Sequence, residues 1–235
     1  MSTLDINTGQ LAANASESDR SAFIRRTYTH VAGALVALAA IVFALIESGI
    51  ALKLTSVLRQ SSYFWLIIMG LYMAVSYIAE KWAHSQVSKG VQYAGLGFYV
   101  VATAVIFSPA IFIGSITNPD LITQAIIITA ALAAGITFTV FTTKKNFSFM
   151  GGFLRTAMFV FFGVIVASIL FDFTLGTAFM GVGVLLMGGM LLYDTSNVVH
   201  EYRTTQHVAA ALSVFGSVAF LFYYVFNLLM SMGGD

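Results

Sequence analysis

The 235-residue chain contains no cysteine and few charges, with Asp, Glu, Lys and Arg together making up 9%. The first absence excludes disulfides and thiolate metal sites and leaves the redox compartment unread. The second excludes an ordinary soluble domain, in which charged residues run near about 25%. A net charge of +1 argues against nucleic acid as a partner, since that needs a concentrated basic surface. Also missing are the G-x-G-x-x-G spacing, a phosphate-binding loop, H-E-x-x-H and any Ser–His–Asp arrangement. Gly181, Gly183, Gly188 and Gly189 follow no strand, so they read as positions of close helix packing. No long soluble segment is inserted, so neither an enzyme nor a cofactor is expected. The four histidines, His30, His84, His200 and His207, have no metal-ligand spacing; His200 and His207 add pH sensitivity near the last loop. Residues 1–26 are polar and lack an apolar h-region, which argues against a cleavable leader. They read as a mobile tail, with docking of a partner as the alternative use of Met1–Arg20.

What the chain has is apolar: 59% hydrophobic residues, including 21 Phe. That composition marks an integral membrane protein whose first partner is the lipid bilayer. A span needs about 20 apolar residues. By that rule residues 27–232 form one all-α transmembrane domain of seven helices, at about 28–47, 62–79, 91–114, 121–142, 153–171, 175–202 and 208–230. The turn signal Thr117-Asn118-Pro119-Asp120 divides the third span from the fourth; only Asp172-Phe173-Thr174 divides the fifth from the sixth. Arg20, Arg25, Arg26, Lys81, Lys89, Lys144, Lys145, Arg155 and Arg203 fall on one side of this arrangement, and only Lys53 and Arg59 on the other. The positive-inside rule then predicts a cytoplasmic N-terminus and a C-terminus outside.

The sixth span carries the leading candidate site. Gly183, Met187, Met190, Asp194, Asn197 and Glu201 repeat at 4-3-4-3-4, which is one helix face. An aspartate at a helix centre costs about 2.5–3.5 kcal/mol on insertion scales, so an intramembrane acid is a site hypothesis by default. Two readings stand for Asp194: an interior acid that binds or gates a cation, or an interfacial acid that is solvated or paired with Arg203. The seventh span has a matching stripe, Ser213, Ser217, Phe220, Tyr224 and Asn227, read either as polar glue between helices or as the other wall of a pathway. Arg155 either snorkels to the headgroups or pairs with Asp194, and Lys81 is a rival partner. Asp172 reads as a solvated turn residue or as an acidic outer mouth.

The loop Thr143-Lys144-Lys145-Asn146-Phe147-Ser148-Phe149-Met150-Gly151-Gly152 and the segment Leu192-Tyr193-Asp194-Thr195-Ser196-Asn197 resemble the Bax inhibitor-1, or transmembrane Bax inhibitor motif, family over about residues 25–232. The loop is most similar to the bacterial branch that associates with the FtsH membrane protease. The resemblance implies a bundle with helix seven central, a multipass protein of the inner (cytoplasmic) membrane, and a pH-sensitive leak in which calcium is the conducted ion. It implies as the alternative a non-conducting regulator of a membrane quality-control protease. Asp194 matches the helix-six aspartate of the family's proposed gate; Asn197, Glu201, Tyr224 and Asn227 join it as pathway candidates through the spacing of the two stripes alone. The family's second gate aspartate falls on Phe220, which puts a two-carboxylate pH latch in doubt. The family's Gly-Pro in helix three is here Ser108-Pro109.

Overall fold

The computed structural model describes residues 9–61, 63–84, 88–143 and 145–233. Residues 1–8 of the presumed tail and Lys144 of the loop motif lie outside them. Eight α-helices are described: α1 Glu17–Glu47, α2 Ile50–Gln60, α3 Tyr63–Ala83, α4 Lys89–Thr117, α5 Asp120–Thr143, α6 Gly151–Leu170, α7 Thr177–His200 and α8 His207–Met232. Among the described residues no strand forms, and seven helices, all but α2, are long and apolar enough to cross a membrane. The fold is an all-α seven-span bundle.

Helix α8 is its axis. About 61% of its apolar window is buried, against 39% for α4 and 6% for α3. Around it α1, α3, α4, α5 and α7 all make contact. The outer helices turn large apolar side chains outward: Ile127, Phe138, Phe153 and Phe159 are all well exposed, as lipid-facing positions are. Pro109 interrupts α4, removing the amide that would bond the Val105 carbonyl; the Ser108 hydroxyl donates to that carbonyl at 3.0 Å instead.

Three features differ from the expected pattern. Helix α1 begins at Glu17, well inside the stretch read as a tail. Ser16 caps it by accepting from the Asp19 amide at 3.2 Å, and Glu17 and Asp19 sit at the positive end of the helix. Ahead of it, residues 9–14 dock rather than trail. Ala12 donates to the Tyr202 carbonyl at 2.9 Å, Thr204 to the Gln10 carbonyl at 3.0 Å, and Arg203 to the Gly9 carbonyl at 3.1 Å. Arg203 is thereby committed to this strap. Finally, α2 fills what reads as a connecting loop. It starts after Gly49, whose φ of 74° suits a residue without a Cβ, and buries Ala51, Thr55 and Leu58 along one side. Its 11 residues extend only about 16 Å, too short to span.

Candidate functional site

Alternate spans run in opposite directions, so the C-termini of α3 and α7 and the N-termini of α6 and α8 meet at one end of the bundle. That end carries Lys81, Lys89, Arg155 and Arg203. Asp194 lies less than two turns from this end of α7, facing α8. It is only 4% exposed. One carboxylate oxygen accepts from the Ser213 hydroxyl at 2.9 Å and the other from the Ser217 hydroxyl. The two serines lie four residues apart on α8, so consecutive turns of one helix hold the two oxygens. Nearer the other end, the packing tightens until the Tyr224 ring occupies the place where a Cβ on Gly183 would stand.

Beside this α7–α8 seam lies a cavity of about 510 Å³, walled by α3 and α6 with Tyr99 and Ile106 of α4. Asp194, Ser213, Ser217, Phe220 and Tyr224 line it from the seam, and Glu80, Tyr72 and Trp65 line it from α3. From Trp65 to Glu80 it follows about 22 Å of helix axis. Phe220 closes part of its wall, packing edge-on to Tyr72 at 5.7 Å and to Phe107 at 5.3 Å. Tyr202, just past α7, is half-buried and stacks on His84 at the end of α3. Burial above all, with the nearby charges of Asp194 and Glu80 adding to it, pushes its phenol up to about 12.

Other residues of the two stripes take different posts. Asn197 and Glu201 do not line the cavity; they hold the α5–α6 connection. Ser148 donates its hydroxyl to Asn197 Oδ1 at 2.8 Å, Asn146 donates its amide to Glu201 at 3.4 Å, and the Phe147 amide donates to Ser196 at 2.8 Å. The α7 face that leads into the bundle at Asp194 emerges one turn later against this loop. Asn227 turns back on its own helix, donating to the Tyr223 carbonyl at 2.7 Å. Arg155 and Lys81 are exposed, and among the described residues neither forms an ion pair with Asp194. Two hydroxyls hold the acid in place of a basic side chain. Asp172 is an exposed turn residue with φ 52° that ends α6, away from the cavity lining. His207 points to Tyr93 and, through it, to His30, rather than to the Asp194 face. Among the described residues no group of three or more His, Asp or Glu converges.

Glu80 is the residue that sequence reasoning passed over. It reads as the polar flank of the second span, yet Tyr72, Ser76 and Glu80 repeat at 4-4 and so share one helix face. That spacing is the signal that sets it on the cavity side of α3, where it stays exposed.

The family described as inhibitor of apoptosis-promoting Bax1 matches residues 20–234. Bax inhibitor 1 of Schizosaccharomyces pombe is 29% identical over 114 residues, 46% of this chain and 42% of that protein. Modulator of FtsH protease YccA of Escherichia coli is 33% identical over 96 residues, 40% of this chain and 42% of that protein. Protein lifeguard 4 of Mus musculus is 24% identical over 229 residues, 96% of this chain and 91% of that protein. Against most of the curated relatives it matches, the chain spans about half of their length.

Proposed function

We propose a function from one established premise: the chain belongs to the Bax inhibitor-1 family of multipass membrane proteins. In this reading Asp194 is the binding acid of a cation leak, with calcium as the conducted ion and the cavity between α3, α6 and the α7–α8 seam as its path. One observation carries it: an almost fully buried aspartate in a spanning helix, held by two hydroxyls and, among the described residues, by no counter-charge, at the wall of an elongated cavity. An aspartate at a helix centre costs about 2.5–3.5 kcal/mol, which is the upper bound for Asp194 near the end of α7. Two hydrogen bonds to an ionised group return about 1.5–3 kcal/mol each. The serines thus keep the anion in place without neutralising it, and a passing cation supplies the missing charge. A carboxylate binds calcium only when ionised, so flux falls toward acid pH. Glu80, from α3, is the second acid on the path, since Phe220 leaves none on α8.

The test is calcium uptake into liposomes holding the purified chain, against empty liposomes, between about pH 5 and 8. Asp194→Asn is expected to reduce uptake severalfold. Uptake no faster than in empty liposomes across that range ends the proposal.

A second reading is favoured by the YccA match: a regulator that binds a membrane protease without conducting. Site-directed crosslinking in native membranes tests it, because deleting Met1–Arg20 would also remove the docked strap and the Ser16 cap. Recovery of no protease adduct removes this reading. We also place the basic end of the bundle in the cytoplasm and the protein in a bacterial inner membrane. The positive-inside rule supports the first, and a relative named inner membrane protein YccA supports the second. With no native cysteine, single replacements such as Lys53→Cys report sidedness by labelling; labelling of this residue from the cytoplasm alone reverses the orientation.

A further inference from the structure

Of the chain's ten methionines, Met69, Met73, Met158, Met187 and Met190 line the cavity beside Asp194. They come from α3, α6 and α7, and the helix registers bring three of them to one height. Helices α7 and α8 are antiparallel, with Gly183 against Tyr224 and Asp194 against Ser213. On that register Phe220 comes level with Met187. Tyr72 packs its ring against Phe220, which sets its neighbour Met73 at the same height. On the other flank α6 and α7 are antiparallel, with Gly151 against Tyr193 and Leu154 against Gly189. Met158, four residues beyond Leu154, is therefore level with Leu185 and Leu186, next to Met187. Met190 is one turn nearer Asp194.

Methionine commonly fills irregular gaps in a core. Here, however, five thioethers border open volume rather than filling it. A neutral thioether is a poor ligand for calcium, which takes oxygen, and a good one for soft ions, Cu(I) above all. We propose that Met73, Met158 and Met187 form a binding site for a soft monovalent metal ion of the Cu(I) class, with Met190 as the step between it and Asp194. From Met190 to Asp194 is about 6 Å along the axis. The site stands apart from the calcium reading, because binding here requires no conduction.

The probe is Ag(I), a redox-inert soft ion, titrated as its nitrate into the full chain in lipid nanodiscs without chloride. Calorimetry gives stoichiometry and affinity, and NMR of 13C-methyl methionine reports which side chains respond. One Ag(I) per chain is expected, with the Met73, Met158 and Met187 methyls shifting together and excess calcium failing to displace it. Met73→Leu and Met187→Leu each weaken binding by at least about tenfold, the loss that even outer-shell changes cause in metal sites. Met232→Leu, near the chain's end and outside the cavity, leaves it unchanged. Leucine conserves volume, so the fold is retained, and thermal melting verifies it. Absence of binding overturns the proposal, as does full affinity in the folded triple leucine variant or displacement by calcium. Should the triple variant fail to fold, the native chain decides: methyl shifts confined to other methionines overturn the site.

Discussion

Replacing Ser217 by alanine removes one of the two hydroxyls that hold Asp194. Both residues are buried, Ser217 at 6% and Asp194 at 4% exposure, so the bond lies in a seam of low dielectric where it is strong. A hydrogen bond to an ionised group is worth about 1.5–3 kcal/mol. Bonds across membrane helices average only about 0.6 kcal/mol when measured by double-mutant cycles. If Asp194 is an anion, Ser217→Ala costs about 2 kcal/mol, a fall of about 4–8 °C in melting temperature for a chain of this size. In an Asp194→Asn background the same serine bonds a neutral amide, and its loss costs about 0.6 kcal/mol. The coupling energy is the difference, about 1.4 kcal/mol, and it isolates the charge from the general cost of truncating a serine. Reversible unfolding of the four proteins in mixed micelles measures it. Equal costs in the two backgrounds, within about 0.5 kcal/mol, would refute the reasoning that an uncompensated anion sits in this seam.

Two further substitutions probe the seam and the loop it meets. Gly183→Val drives its side chain into the Tyr224 ring and should cost about 1–3 kcal/mol of overpacking, partly restored by Tyr224→Ala. A neutral Gly183→Val in thermal melts would show that α7 and α8 do not approach this closely. Asn197→Ala removes the acceptor of the Ser148 hydroxyl, so amide exchange over residues 147–150 should quicken about fivefold while calcium uptake stays unchanged. A change in uptake would return Asn197 to the pathway.

The seven spans were legible because length and hydropathy are properties of a single segment. The bilayer also demands that each spanning segment satisfy its own backbone as a helix. Helix α2 was not legible on those terms, since its 11 residues are apolar on one side only and the span rule weighs totals. The start of α1 was written in Ser16, Glu17 and Asp19, a capping signal that a search for apolar runs ignores. The α7 stripe shows where periodicity stops informing. It places Asp194, Asn197 and Glu201 on one face, but not that this face passes from a helix seam to a loop within one turn. Glu80 was hidden for the same reason. A charge near the end of a span reads as its boundary until the neighbouring helices are placed around it.

Glu80 and Asp194 are not equivalent acids, and the difference can be measured. Helices α3 and α7 run in the same direction, and each acid lies seven residues beyond a methionine of the level pair Met73 and Met187. The two carboxylates therefore sit at about the same height on the cavity wall, about 10 Å along the axis from that pair. Asp194 is buried, whereas Glu80 is exposed. Dissolved salt screens an exposed charge over a Debye length of about 8 Å at 0.15 M ionic strength, and screens a buried one far less. Glu80 should then act by concentrating cations at the cavity, an effect that fades with ionic strength, while Asp194 should act by binding them. Glu80→Gln is expected to slow calcium uptake by liposomes a fewfold at about 0.01 M salt, where the Debye length is about 30 Å, and to differ little from the native chain at about 0.15 M. Asp194→Asn should reduce uptake at both. A Glu80→Gln deficit that persists undiminished at the higher salt would mean that Glu80 binds the ion directly, and the distinction between a concentrating acid and a binding acid would fall.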